Sequence, residues 1–294
     1  MTLWTAAEAS AWVTPPLESD DKYARGVLGL ATGSVAYPGA AVLGAEAALR
    51  TGVGMVRYVG PDPVGRLVLS RRPEAVLGAG RVNAWVVGSG MVAPSPGGSA
   101  GEDGAGPDDD AERVAEALAS GAPVVLDAGS ISRAPEAIGP VIMTPHAGEL
   151  ATLLGVPRDA VHADPVGHAV RASAAFGAVV LLKGATTLVA RLGHEAGNED
   201  CAIEVREATP WLATAGAGDA LAGILGALVA ARSAREGRVA PDDLAALGAT
   251  AAFIHGRAAR LAARTRIDGS GGGPFTVLDL AAAVPDVIRD LVDA

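Results

Sequence analysis

Short runs of β-branched and aliphatic residues, apolar from end to end, alternate along this chain with Ala- and Leu-rich stretches of helical length. The runs are Val27–Ala31, Met55–Val59, Ala84–Val87, Val124–Leu126, Val141–Met143 and Val179–Leu182, with Thr187–Ala190 and Ala202–Val205 as a late pair. A strand with one face in water alternates apolar and polar residues; a strand covered on both faces does not. The pattern therefore predicts a mostly parallel sheet with helices on both faces, an α/β fold of three layers. Helices are expected over Gly39–Arg50, Ala111–Ala119, Gly148–Leu154, Pro165–Phe176, Gly218–Arg232, Pro241–Arg264 and Val277–Leu291.

Only 3% of the residues are aromatic, so the core must be built from Ala, Val, Leu and Ile. The formal net charge of -10 argues against nucleic acid as a partner. It leaves room for a small anionic ligand, because local N–H groups and one lysine can override a global charge. Cys201 is the single cysteine, which fits a reducing compartment, and no Cys/His cluster has zinc-site spacing. The first eight residues lack the basic start and apolar run of a signal peptide. Apolar runs elsewhere are broken by Gly, Arg or Asp before membrane-spanning length. The expectation is a cytoplasmic protein without a membrane partner. Residues 1–21 read as a peripheral leader and 22–294 as a single domain. Residues 92–110, rich in Gly, Pro, Ser and acid, read as a mobile acidic insertion. Gly269 to Pro274 reads as a flexible link to the last helix.

In an open parallel sheet, ligands bind beyond the carboxyl ends of the strands. The polar residues of this sequence gather there. Thr32-Gly33-Ser34, Gly88-Ser89-Gly90, Asp127, Thr144-Pro145-His146-Ala147-Gly148-Glu149 and Lys183-Gly184-Ala185-Thr186-Thr187 each follow a predicted strand. Asp127 can cap a loop there, and His146 can cap the helix after it. Lys183 abuts Val179-Val180-Leu181-Leu182, where a lysine is costly to bury unless it meets an anion or snorkels to solvent. His162, His168, His194 and His255 have no neighbours in sequence that suggest chemistry.

Thr214-Ala215-Gly216-Ala217-Gly218-Asp219 leads directly into an apolar helix. Glycines and small residues let the backbone turn and present N–H groups, and the free N–H groups of the first helical turn point the same way. Such a turn holds an anion. An aspartate beside it either favours the helix dipole or serves as a base toward a hydroxyl attacking a bound phosphoryl group. The residues leave both readings open. There is no Gly-x-Gly-x-x-Gly fingerprint after the first strand and no Gly-x-x-x-x-Gly-Lys-Ser/Thr loop, so a phosphate site falls to Gly216–Asp219.

The Gly-Ala-Gly-Asp turn resembles the anion hole and base of ribokinase-like kinases. Further blocks are similar, in order, to ADP-dependent NAD(P)H-hydrate dehydratases. They are Lys22-Tyr23-Ala24-Arg25-Gly26, Gly33-Ser34, Tyr37-Pro38-Gly39-Ala40-Ala41, Ala48 to Gly54, Thr144 to Glu149, Leu182 to Thr187 and Leu212 to Asp219. The similarity runs from about Lys22 to Leu291.

The resemblance implies a ribokinase-like fold and a metabolite-repair reaction. NADH or NADPH hydrate loses the hydroxyl on its nicotinamide ring at the expense of ADP or ATP, and with ADP the products are restored cofactor, AMP and phosphate. Magnesium would accompany the nucleotide, with no dedicated protein metal site. By position, Asp219 would be the catalytic base, and Gly216, Ala217 and Gly218 the anion hole. Lys183, Gly184, Ala185, Thr186 and Thr187, with Gly218, would bind the nucleotide. Ala41, Gly90 and His146 would line the hydrate pocket with Asp219. A homo-oligomer, such as a tetramer, is implied as well.

Two departures from the family pattern stand out. Thr209-Pro210-Trp211 replaces a common Asn-Pro-Gly, which puts Trp211 where it could wall the pocket. Asp127-Ala128-Gly129-Ser130 lacks a second acidic residue, which speaks against a metal role for Asp127. The leader before Lys22 is too short for the epimerase domain some relatives carry. Two other functions share these residues. One is a kinase that stops after phosphorylating a vitamin-precursor alcohol. The other is a nucleotide sensor without turnover, for which a lost Asp219 or broken glycine loop would be expected.

Overall fold

A computed structural model describes residues 1–91, 107–195, 197–198, 200–266 and 270–293. Ten strands form one sheet: β1 (Thr2–Leu3), β2 (Val27–Ala31), β3 (Met55–Tyr58), β4 (Val76–Leu77), β5 (Ala84–Val87), β6 (Val124–Leu126), β7 (Val141–Met143), β8 (Val179–Leu182), β9 (Thr187–Ala190) and β10 (Ala202–Val205). Their order is β1-β10-β9-β8-β7-β6-β5-β2-β3-β4. Every pairing is parallel except those of β9, which runs against β8 and β10.

The helices are α1 (Ala6–Ser10), α2 (Gly39–Thr51), α3 (Asp62–Arg71), α4 (Pro107–Ala119), α5 (Ala147–Leu154), α6 (Arg158–Ala163), α7 (Pro165–Phe176), α8 (Ala217–Glu236), α9 (Pro241–Ala263) and α10 (Val277–Val292). The expected central strands are all present. Sheet alternation sends successive residues to opposite sides. Val86, Val125, Ile142, Val179 and Leu181 join a core with α2, α8, α9 and α10. Trp85, Val87, Leu126, Met143, Val180 and Leu182 join a second core with α4, α5, α6 and α7. Two apolar faces per strand explain the unbroken apolar runs.

α8 is the central helix. By length and composition it would pass for a membrane-crossing helix, which the expectation of broken apolar runs overlooked, but 72% of its apolar window is buried inside the protein. It crosses α2 so closely that a Cβ on Gly223 would lie 2.3 Å from the Gly44 carbonyl oxygen, so only glycine permits this approach.

Several expectations need correction. Residues 2–10 are not peripheral: β1 pairs with β10, and Trp4 and Ala9 are buried in the first core. The Trp4 indole donates to Thr250 Oγ1 on α9 at 3.2 Å. Of the expected insertion, 92–106 lies outside the described residues, while 107–110 forms the first turn of α4. Proline is favoured at the first position of a helix. Of the expected link, Gly269 lies outside the described residues. Its remainder is tied back to the end of α9, where Gly273 N donates to the Ala263 carbonyl at 2.8 Å. The short elements β1, β4, α1 and α6 have too few residues to show a period.

Candidate functional site

The chain reverses its direction of travel across the sheet between β2 and β5, which opens a crevice at their carboxyl ends. The turns after these strands are joined there: Gly33 N donates to the Ser89 carbonyl at 2.7 Å. A Cβ on Gly90 would lie 2.5 Å from the Ala40 Cβ, so this turn also packs on the start of α2.

Asp127, at the end of β6, is the hub of the rim. Its carboxylate accepts from Ser89 Oγ at 2.8 Å, Thr144 Oγ1 at 2.7 Å and Lys183 Nζ at 2.8 Å. The donors follow β5, β7 and β8, so one carboxylate ties three strand ends together. Burial alone would raise its pKa, but the Lys183 charge and the three hydrogen bonds outweigh that and hold it below the usual carboxylate range. Asp127 thus meets a lysine rather than capping a loop.

Lys183 is held by its backbone as well, with its N–H donated to the Pro145 carbonyl at 2.8 Å. Its ammonium lies 3.8 Å from Glu149 Oε2, and a fifth of its side chain is exposed. Burial works against its charge, but Asp127, Glu149 and Asp219 together raise its pKa. The anion demanded by its position is therefore supplied by the protein. A Cβ on Gly218 would sit 3.5 Å from Lys183 Nζ, which places the ammonium against the first turn of α8.

That turn starts at Gly216, whose φ of 88° is the left-handed conformation that favours glycine. Ala217 is buried, while Gly218 and Asp219 are half-buried. The Asp219 pKa is pushed up to about 6, first by burial and then by the Asp127 charge, with Lys183 and the Ser89 hydroxyl opposing. A carboxylate tuned close to neutrality beside a ring of N–H donors is equipped to accept a proton from a hydroxyl.

His146 is the N-cap of α5. Its Nδ1 accepts from Gly148 N at 3.0 Å and Glu149 N at 3.1 Å, and His146 N donates in turn to Glu149 Oε2 at 2.7 Å. The side chain is 58% exposed, and its Nε2 lies 3.7 Å from Glu149 Oε1. His146 also bridges Lys183 in the backbone ladder. Gly184, Ala185 and Thr186 form an exposed turn, whereas Thr187 opens β9 and is buried. Ala41 is fully buried under Gly33 and presents no surface to a ligand, contrary to the expectation that it lines the pocket. Trp211 stands on a short 3₁₀ turn, Pro210–Leu212, with 41% of its surface exposed.

Asp127, Ser89, Thr144 and Glu149 meet around Lys183, where the sequence offered only a loop cap for Asp127 and no role for the other three. Their position after predicted strands was the available signal. His255, dismissed from sequence, is buried on α9 with Nε2 2.9 Å from the Ala217 carbonyl oxygen. A separate cavity of about 230 Å³, lined by Arg25, Arg50 and Arg235 among others, lies toward the amino ends of the strands and shares no residue with this site.

A family model described as NAD(P)H-hydrate dehydratase matches residues 28–270. The chain belongs to that family. It is 39% identical over 239 residues to the bifunctional NAD(P)H-hydrate repair enzyme Nnr of Mycobacterium tuberculosis, covering 76% of this chain and 44% of the relative. The chain thus spans about half the length of the bifunctional relatives it matches. It is 36% identical over 228 residues to the ADP-dependent (S)-NAD(P)H-hydrate dehydratase of Xanthomonas campestris, covering 73% of this chain and 76% of the relative. The fold is that of the ADP/ATP-dependent NAD(P)H-hydrate dehydratase of Bacillus subtilis co-crystallised with ATP and Mg2+. The TM-score is 0.80 at 24% identity, with 99% of this chain and 98% of the other covered. The three-layer arrangement of this NAD(P)H-hydrate dehydratase family member is ribokinase-like, as the resemblance implied.

Proposed function

We propose that this protein removes the hydroxyl from hydrated NADH or NADPH at the expense of ADP, restoring the cofactor and releasing AMP and phosphate. One observation carries the reading: Asp219, with its raised proton affinity, stands in the first turn of α8 beside the Gly216–Gly218 backbone and the Lys183 ammonium. Asp219 takes the proton of the substrate hydroxyl as its oxygen attacks the terminal phosphorus of ADP. The bond between that phosphorus and the AMP oxygen breaks, and the first-turn N–H groups receive the charge on the transferred group. The ring-nitrogen lone pair then expels phosphate as the C–O bond breaks, and the iminium left behind loses a proton from the neighbouring ring carbon to solvent, which restores the dihydronicotinamide.

Lys183 and the exposed Gly184–Thr186 turn would meet the nucleotide, and His146 Nε2 and the Gly90 turn the hydrate. Magnesium would neutralise the phosphates. Among the described residues no three His, Cys, Asp or Glu side chains cluster, and Asp127 is occupied by three hydrogen bonds. This donor set fits a cation held chiefly by phosphate oxygens and water. A cytoplasmic setting and self-association belong to the same proposal. The buried free thiol of Cys201 supports the first, and exposed Val76 and Leu77 on edge strand β4 support the second.

The test is incubation with hydrated NADH, ADP and magnesium while dihydronicotinamide absorbance is followed. Absorbance should return with equimolar AMP and phosphate, chelator should stop it with the circular dichroism unchanged, and magnesium should restore it. A stable phosphomonoester would make the protein a kinase, and nucleotide binding without turnover would make it a sensor.

A further inference from the structure

We infer that His255 is a positioning residue that aims the Gly218 N–H of the anion hole. This rests on the phosphoryl-transfer reading of the α8 turn. The imidazole lies on α9, buried, with Nε2 2.9 Å from the Ala217 carbonyl oxygen. A carbonyl oxygen can only accept, so Nε2 carries the proton and donates.

The Ala217 carbonyl and the Gly218 N–H belong to one planar trans peptide unit and point in opposite directions across it. Fixing the carbonyl on one side fixes the N–H on the other. Within α8 that carbonyl faces down the helix toward the N–H four residues on, and His255 takes a second lone pair. The extra bond comes from a different helix, so it ties the turn to the body of the protein rather than to its own helix. It also polarises the peptide, which makes the Gly218 N–H a stronger donor. Gly216 and Gly218 carry no side chain that could steady the turn, so an outside tether has a clear purpose.

The charge state suits the task. Burial, aided by the nearby Lys183 ammonium and opposed by the Ala217 bond, pushes the His255 pKa down to about 4. The ring is therefore neutral with a constant donor across physiological pH, and it adds no cation beside Lys183.

The experiment compares wild type with His255→Leu, which removes the donor at similar volume, and His255→Gln, whose amide N–H can reach the same carbonyl. Calorimetry with ADP and with AMP reads the site apart from turnover, because only ADP carries the phosphoryl group that enters the anion hole. Leu should lower kcat ~10–100-fold, somewhat less than deleting a donor outright, and weaken ADP about tenfold. AMP affinity should hold within about twofold, and Gln should recover most of both losses. Wild-type kinetics and ADP affinity in Leu would overturn the inference. So would equal weakening of ADP and AMP, or a Gln variant no better than Leu. Should Leu fail to fold, His255→Asn, polar but too short to reach, replaces it, and equal behaviour of Asn and Gln overturns the inference. Wild-type protein that binds no ADP would instead refute the phosphoryl-transfer reading.

Discussion

Lys183 and Asp127, 56 residues apart in sequence, form an ion pair of 2.8 Å between the ends of β8 and β6. The lysine lies against the first turn of α8 on its other side, so one buried carboxylate fixes the cation that the proposed function sets against the nucleotide phosphates.

Removing Asp127 should cost stability. Asp127→Ala leaves the ammonium without its nearest counter-charge and frees the Ser89 and Thr144 hydroxyls, so unfolding free energy should fall by about 3 kcal/mol in denaturant titration. The pH sign follows from the lowered pKa of Asp127. Its contribution is complete above the ordinary aspartate value and disappears as pH falls through the lower folded value. The difference between wild type and Asp127→Ala should therefore shrink in acid. A difference that persists there means that the carboxylate charge is not the source.

Lys183→Ala should weaken ADP more than hydrate, measured by calorimetry with each ligand alone. Unchanged ADP affinity would leave Lys183 only its structural pairing with Asp127.

Asp219→Asn should reduce turnover ~10²–10⁴-fold while ADP still binds, because a general base is lost and a negative charge near the phosphates is removed. In the wild type the base is active when ionised. With its pKa raised to about 6, kcat/KM should fall as pH drops below that value and level off above it. A profile flat from pH 5 to 8 would reassign the proton acceptor.

His146→Ala should have two separable effects. Loss of the α5 cap should cost about 1 kcal/mol of stability. Loss of the exposed imidazole should raise KM for the hydrate with little change for ADP. A change confined to stability would limit His146 to capping. Zinc bound stoichiometrically by wild type and released by His146→Ala would make the site metal-centred.

Trp4→Ala should destabilise the domain by ~3–5 kcal/mol, since a large buried side chain that bonds α9 through Thr250 is removed from the core. Thr250→Val should cost ~1–3 kcal/mol by leaving the indole N–H without its acceptor. Thermal or denaturant unfolding measures both, and wild-type stability in Trp4→Ala would mean that the leader is dispensable.

The sequence by itself determined the layered α/β architecture, because strands buried on both faces must read as unbroken apolar runs. It also located the rim of the site, because ligand-facing residues in such a sheet come directly after the strands. The Gly216–Asp219 turn was legible from local chemistry: glycines, a helix start and one acid. Tertiary structure decided the partners. Whether Asp127 caps a loop or pairs with Lys183 depends on β6 and β8 flanking β7, which no local pattern encodes. His255 looked inert because its partner, the Ala217 carbonyl, is a backbone atom 38 residues away and leaves no mark in sequence. Ala41 matched by position, yet packing buried it under Gly33. Residues 2–10 seemed peripheral because a two-residue strand and a five-residue helix carry no period. The sheet edge at β10 and the surfaces of α9 and α10 give them something to bury against.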